Sequence, residues 1–186
     1  MRKTEASNTK CNVTPAQAMN LTITPMTADD WPAVRAIYVD GIATGQATFE
    51  SDAPDWPTWD AGKLPHSRLV ARVGDEAVGW AALSPTSTRP VYAGVAEVSV
   101  YVASARRGRG IGKQLLQAMI AESERNGIWT LVGGTFPENT ASLRLQEACG
   151  FRLVGRRERV GRHHGVWRDT ILTERRSRVV GSEPEA

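Results

Sequence analysis

Hydrophobic positions along this chain follow two rhythms, and the changes between them outline its elements. Residues 21–25 (L-T-I-T-P) predict a short strand. Over residues 27–44, Trp31, Val34, Ile37, Tyr38 and Ile42 recur near helical spacing, with Thr27 or Asp30 as N-cap. Pro32 suits this helix only in its first turn, where an N–H would be unpaired anyway. Residues 54–64 predict a loop with a short helix, and residues 68–73 and 77–83, joined by Gly74-Asp75-Glu76, predict a hairpin. Residues 95–102 are rich in β-branched side chains. Residues 112–126 put Leu115, Leu116, Met119 and Ile120 on one helical face, with Gly127 where a terminating glycine belongs. A strand follows at 129–134, then a helix at 139–149 capped by Asn139 and stopped by Gly150. Residues 151–159 and 166–174 predict two closing strands. Hairpin strands followed by β-α-β-α-β predict a mixed sheet with helices on its faces.

Residues 1–20 and 177–186 show neither rhythm and are expected to be disordered tails around one domain at 21–176. Hydrophobic residues at 41% and charged residues at 23% are ordinary globular usage, which excludes wholesale disorder. No apolar run approaches the roughly 20 residues that cross a bilayer, so no membrane partner is expected. The first 21 residues lack an apolar core of the secretory type. Cys11 and Cys149 make neither a disulfide framework nor a metal-ligand spacing. Both observations imply a cytoplasmic location.

The net charge of +3 invites a nucleic-acid reading, but its distribution argues against one. Residues 22–174 carry 17 basic and 17 acidic side chains, so the excess sits in the tails. Two local clusters remain, one at Arg106, Arg107, Arg109 and Lys113, the other running from Arg152 to Arg168. Clusters on a neutral domain fit a small phosphorylated ligand better than a polyanion.

The most informative segment is S-V-Y-V-A-S-A-R-R-G-R-G-I-G-K-Q-L-L, residues 99–116. A strand ends, Gly108, Gly110 and Gly112 follow at alternate positions, and a helix begins. Glycines let backbone N–H groups close on a ligand, and the helix N-terminus and neighbouring cations favour an anion. This is the chemistry of a pyrophosphate cradle. A Walker A loop needs glycine at 107 and Ser or Thr at 114, where Arg107 and Gln114 stand. A dinucleotide fingerprint starting at Gly108 needs glycine at 113, where Lys113 stands. The pattern that fits is Arg-x-x-Gly-x-Gly, from Arg107 to Gly112.

At these residues the chain resembles the GNAT acetyltransferase superfamily, whose equivalent turn binds the pyrophosphate of acetyl-CoA. Residues 138–151 (E-N-T-A-S-L-R-L-Q-E-A-C-G-F) resemble its second cofactor segment, an Asn-x-x-Ser helix running into Gly-Phe. A-T-F-E (47–50), R-P-V-Y (89–92), A-E-V-S-V-Y-V (96–102) and H-G-V-W-R-D (164–169) resemble the branch acting on phosphinothricin, methionine sulfoximine and arsinothricin. The resemblance implies an α/β (α+β) fold with a mixed, mostly antiparallel sheet and helices on both faces. It implies acetyl-CoA as co-substrate, no metal, a small-molecule amine as acceptor, and a homodimer. Its implied cofactor contacts are Val100, Tyr101 and Val102 on the strand; Arg107, Gly108, Arg109, Gly110, Ile111, Gly112 and Lys113 in the turn; and Asn139 and Ser142 on the second helix. Asn139 and Ser142 also read as ordinary helix capping, and the two roles are compatible.

Glu97 is the candidate general base, because it stands in an otherwise apolar strand where a carboxylate is costly without work or a partner. An amine is protonated at neutral pH and cannot attack a thioester until it loses a proton. The competing reading is a carboxylate paired with one of the many arginines. Many relatives in the superfamily place a tyrosine in the 139–150 helix to protonate the departing thiolate; Gln146 occupies that position here, so the acid stays unassigned. The resemblance implies substrate contacts at Phe49, Arg89, Tyr92 and His164, the last from a neighbouring subunit. Where the branch carries two arginines before Pro-x-Tyr, this chain has Ser87 and then Arg89, and Arg89 reads equally well as a surface ion-pair partner. His163 and His164, as strand neighbours, are expected on opposite faces, which argues against a metal site.

Together these features predict direct acetyl transfer from acetyl-CoA to the α-amine of a small amino acid analogue, with strand N–H groups near Val98 stabilising the oxyanion. The rivals are the same chemistry on a polyamine or a protein N-terminus, a non-catalytic acetyl-CoA-binding protein, and nucleic-acid binding through the Arg152–Arg168 cluster.

Overall fold

The computed structural model describes residues 20–182. Among the described residues seven strands form one sheet: β1 (Leu21–Pro25), β2 (Arg68–Val73), β3 (Glu76–Pro85), β4 (Val95–Val102), β5 (Thr130–Thr135), β6 (Arg152–His163) and β7 (Val166–Arg176), in the order β1-β2-β3-β4-β5-β7-β6. Every adjacent pair is antiparallel except β4 with β5. Four helices, α1 (Trp31–Ile42), α2 (Trp56–Ala61), α3 (Ile111–Arg125) and α4 (Thr140–Ala148), cover the sheet. The predicted α/β class, mixed sheet and helices on both faces are all present.

Two apolar cores sit on opposite faces of the sheet. On one face Leu115, Leu116, Met119 and Ile120 of α3 pack on Ala81, Leu83 and Ala96, with Leu145 of α4 against the same cluster. On the other, Trp31, Val34, Ile37 and Tyr38 of α1 and Trp59 of α2 pack on Val70, Trp80 and Ala82. The apolar stripes read from the sequence are the surfaces these helices bury. Pro32 falls in the first turn of α1, where it costs no hydrogen bond.

One feature of the sheet creates the site. The parallel pair β4–β5 runs only from Val95↔Thr130 to Glu97↔Val132, after which the strands part. On its other edge β4 stays paired with β3 through Val102. Ala103 N–H donates to Val78 O of β3 at 3.0 Å, so alternation turns the backbone groups of Val100 and Val102 toward the gap. Those of Tyr101 point to β3. The sequence expectation of backbone contacts from all of Val100–Val102 is therefore narrowed: Tyr101 reaches the gap with its side chain only.

Residues 177–182, expected to be tail, are tied to the domain. Ser177 is buried, its N–H donates to Trp129 O at 2.8 Å and its hydroxyl to Glu124 at 2.9 Å. The expected tail at residues 1–20 lies, but for Asn20, outside the described residues. No helix among the described residues is long and apolar enough to cross a membrane.

Candidate active site

The strands' divergence opens a cleft of about 730 Å³ that runs from the glycine-rich turn to the loop between α1 and α2. Glu97, Val100, Tyr101, Val102, Arg107, Gly108, Gly110, Ile111, Gly112, Asn139, Ser142 and Phe49 all line it.

At one end lies the turn. Gly108 and Gly110 have φ of +74° and +79°, and a Cβ on either would meet nothing within 4 Å. Only glycine adopts this backbone without strain, and the space beside it is open. Gly112 serves packing instead: its Cβ position is 3.3 Å from Leu145, so it sets how closely α3 approaches α4. Helix α3 starts at Ile111 with no side-chain cap, and its first backbone N–H groups face the cleft end unpaired by any side chain. Their partial positive charge and the Arg107 guanidinium suit a phosphate group. Arg107 Nε donates to Val102 O at 3.1 Å, which fixes its stem and occupies that carbonyl. Arg109 and Lys113 are exposed on the outer side of the turn and do not line the cleft.

Across the gap, Asn139 works as the cap of α4. Its Oδ1 accepts from Ser142 N–H at 3.1 Å, and its Nδ2 donates to Gln46 O at 3.2 Å, tying the α1–α2 loop to the helix. Gln146 is buried and held at both ends: Nε2 donates to Thr135 Oγ1 at 3.1 Å, and Oε1 accepts from Thr173 Oγ1 at 2.7 Å. This amide is a strut between α4, β5 and β7. Tyr101 stacks on Trp80 with ring centroids 4.6 Å apart, and burial pushes its phenol well above the ordinary range, so it holds its proton.

Glu97 is the last β4 residue paired with β5, and its side chain projects into the cleft on the face covered by α1 and α2. The burial expected from its apolar neighbours is not found: Glu97 is flanked by β3 and β5 but its side chain is exposed to the open cleft. Among the described ion pairs none involves Glu97, so the expected competitor, an arginine partner, is not seen there. Its cross-strand neighbour is Ser84, and the backbone of Gly134 faces its carboxylate.

Three expected substrate contacts are not brought to this cleft. Arg89 and Tyr92 lie on an exposed turn after β3, with the guanidinium 5.3 Å from the tyrosine ring centroid. His164 and Gly165 form the two-residue turn between β6 and β7, with φ of +48° and +79°. This turn also overturns the expectation that the adjacent histidines diverge, since their ring centroids are 4.1 Å apart. His163 is buried beside Phe49 and Phe136, and desolvation lowers its imidazole below the ordinary value. No cluster of three or more metal-ligating side chains occurs among the described residues. Cys149 lines a separate hollow, and burial raises its thiol.

Sequence reasoning missed Lys63, Ser84, Glu50 and Gly134, which line the same cleft. Lys63 Nζ donates to Ser84 Oγ at 2.9 Å, 21 positions away, a contact no local pattern reports.

Residues 31–151 match the Acetyltransferase (GNAT) family. The chain is 38% identical over 157 residues to phosphinothricin N-acetyltransferase of Alcaligenes faecalis, covering 79% of this chain and 78% of that one. It is 31% identical over 151 residues to an L-methionine sulfoximine/L-methionine sulfone acetyltransferase of Pseudomonas aeruginosa, covering 78% and 88%. Among solved structures, a GNAT superfamily phosphinothricin acetyltransferase from Sinorhizobium meliloti in complex with AcCoA superposes with a TM-score of 0.79 at 26% identity, covering 90% of this chain and 94% of that one. Fold, parted strands and these likenesses agree: the chain belongs to the GNAT acetyltransferase family and is an N-acetyltransferase.

Proposed function

We propose that this enzyme uses acetyl-CoA to acetylate the α-amine of a small amino acid analogue of the phosphinothricin, arsinothricin or methionine sulfoximine type. The observation that carries the reading is the position of Glu97, a carboxylate at the point where β4 and β5 separate, in one cleft with the glycine turn. The names of the relatives supply the substrate class.

The residues fit acetyl-CoA on two observations. The α3 N-terminus is uncapped beside two glycines of positive φ with open space around them, which suits a pyrophosphate. The backbone edge of β4 beyond Glu97 has no strand partner, which suits an amide-bearing arm added like a strand. Gly108, Gly110, Ile111, Gly112 and Arg107 would hold the phosphates, with Arg109 and Lys113 adding longer-range charge. Val100, Val102, Asn139 and Ser142 would border the arm. When bound, acetyl-CoA supplies an acetyl group activated as a thioester.

Glu97 takes the proton from the substrate ammonium, directly or through one water, and so frees the amine lone pair. The cleft walls hold that amine in line for attack, and the gap-facing N–H of Val100 is a donor for the developing negative charge. Gln146 cannot give a proton, and Tyr101 is a poor donor for the reason given above, so solvent supplies the proton that the leaving group takes up. Phe49, packed on Phe136 with centroids 4.8 Å apart, walls the acceptor end. A homodimer belongs to the same proposal: the β6–β7 hairpin extends past β5 and leaves Val160, Val166 and Trp167 exposed. Arg89, Tyr92 and His164 would then act where two copies meet. A cytoplasmic location is likewise proposed.

The test is thiol release from acetyl-CoA with a panel of amino acid analogues and polyamines. Turnover confined to amino acid analogues supports the reading. Preference for polyamines would contradict the substrate class, and no release with any amine would favour a non-catalytic acetyl-CoA-binding protein.

A further inference from the structure

Lys63 sits just beyond α2, half-buried in the cleft, with its ammonium fixed by Ser84 Oγ and 5.7 Å from the Trp59 ring centroid. Ser84 and Glu97 are cross-strand partners in β3 and β4, so their side chains stand side by side on one face. The Lys63 ammonium is therefore held next to the Glu97 carboxylate. The two form no direct ion pair, since none of the described pairs includes Lys63. Burial lowers the proton affinity of Lys63, while Glu97 and Glu50 favour its charged form. A cation and an anion thus line the same cleft with no direct ion pair between them among the described residues.

The other cations lining the cleft are committed at its far end. Arg106 is ion-paired with Glu76, and Arg107 is bonded to Val102 O beside the glycine turn. Arg89 does not line the cleft of the single chain, which leaves Lys63 as the cation at the acceptor end of that lining. An α-amino acid carries its ammonium and carboxylate on the same carbon, so it presents opposite charges a few ångströms apart. Glu97 and Lys63 offer the complementary charges in that arrangement. We propose that Lys63 binds the α-carboxylate of the amino acid whose α-amine Glu97 deprotonates, which makes Lys63 and its anchor Ser84 the source of selectivity for amino acids over simple amines. This rests on the N-acetyltransferase reading above.

The experiment compares L-methionine sulfone with the amine obtained by removing its carboxylate, using thiol release from acetyl-CoA. The wild type favours the amino acid. Lys63→Met lowers kcat/KM for L-methionine sulfone by about 10–100-fold, mainly through KM, and changes the decarboxylated amine by less than about threefold. Lys63→Arg recovers part of the loss, and Ser84→Ala, which removes only the anchoring hydroxyl, gives a smaller change in the same direction. Thermal melts and acetyl-CoA titration establish that each variant is folded. Equal losses for both compounds would overturn the inference and make Lys63 a prop for Glu97 or for the fold. Wild-type turnover with no preference for the carboxylate would overturn it too, while leaving the enzyme reading standing. No wild-type turnover with any amine would overturn both.

Discussion

Gly134 gives the Glu97 carboxylate its room: a Cβ on Gly134 would stand 3.3 Å from Glu97 Oε1. That is tight enough to shift a flexible carboxylate by a few tenths of an ångström without disturbing the backbone. Gly134→Ala should therefore leave the thermal midpoint nearly unchanged and reduce kcat, while Gly134→Val, which also fills the cleft, should cost about 100-fold or more. Normal turnover in a folded Gly134→Val protein would show that the Glu97 position is not critical.

Gly110→Val tests the cradle. The backbone there has φ of +79°, strained for a β-branched residue, and the new side chain would point into open space beside the uncapped α3 N-terminus. Titration calorimetry should show acetyl-CoA binding weakened at least about tenfold, or about 1.4 kcal/mol. Unchanged affinity would rule out this turn as the pyrophosphate site.

Gly94 holds the start of the β4–β5 pair. Its carbonyl accepts from Trp129 N–H at 2.8 Å and Thr130 N–H at 3.0 Å, and a Cβ would overlap the Trp129 ring. Gly94→Ala forces the indole or the strand aside, at a cost of about 1–3 kcal/mol or more in denaturant unfolding. A change under about 0.5 kcal/mol would show that Trp129 repacks freely.

Asp30 carries an acid-sensitive part of the stability. Burial raises its pKa, but the Thr27 N–H bond at 2.8 Å and the Arg72 guanidinium outweigh that and hold it below 3.8. Its contribution is therefore present above pH 3.8 and is lost as pH falls through that value toward the folded-state pKa. Asp30→Asn should be less stable by about 1–2 kcal/mol at neutral pH, with the difference shrinking below pH 3.8. A difference that stays constant with pH would mean the loss is steric.

The elements were legible because the two faces of the sheet impose separate apolar stripes. Trp31, Val34, Ile37 and Tyr38 mark one, and Leu115, Leu116, Met119 and Ile120 the other. The glycine turn was legible because backbone conformation restricts residue choice locally. Glu97 stood out as a charge among β-branched neighbours, yet its exposure depends on the cleft it faces, which no local pattern states. Lys63 and the bracing role of Gln146 were missed for the same reason, as their partners Ser84, Thr135 and Thr173 lie 21, 11 and 27 positions away. Arg89, Tyr92 and His164 came from motif alone, and a single chain does not bring them to the cleft. Ser177 and the residues after it were misjudged because polar contacts, to Trp129 O and Glu124, hold them without an apolar stripe.

In the proposed mechanism Glu97 removes the amine proton. Glu97→Gln keeps the shape but cannot accept a proton, and general bases typically contribute ~10²–10⁴-fold. The measurement is kcat/KM against pH for both proteins, with acetyl-CoA affinity and thermal midpoint measured alongside. Glu97→Gln should lose that order of activity near neutral pH, the loss shrinking as pH rises and more of the amine is already free, with affinity and midpoint unchanged. A variant that keeps the wild-type rate at neutral pH, or that loses acetyl-CoA binding instead, would contradict it.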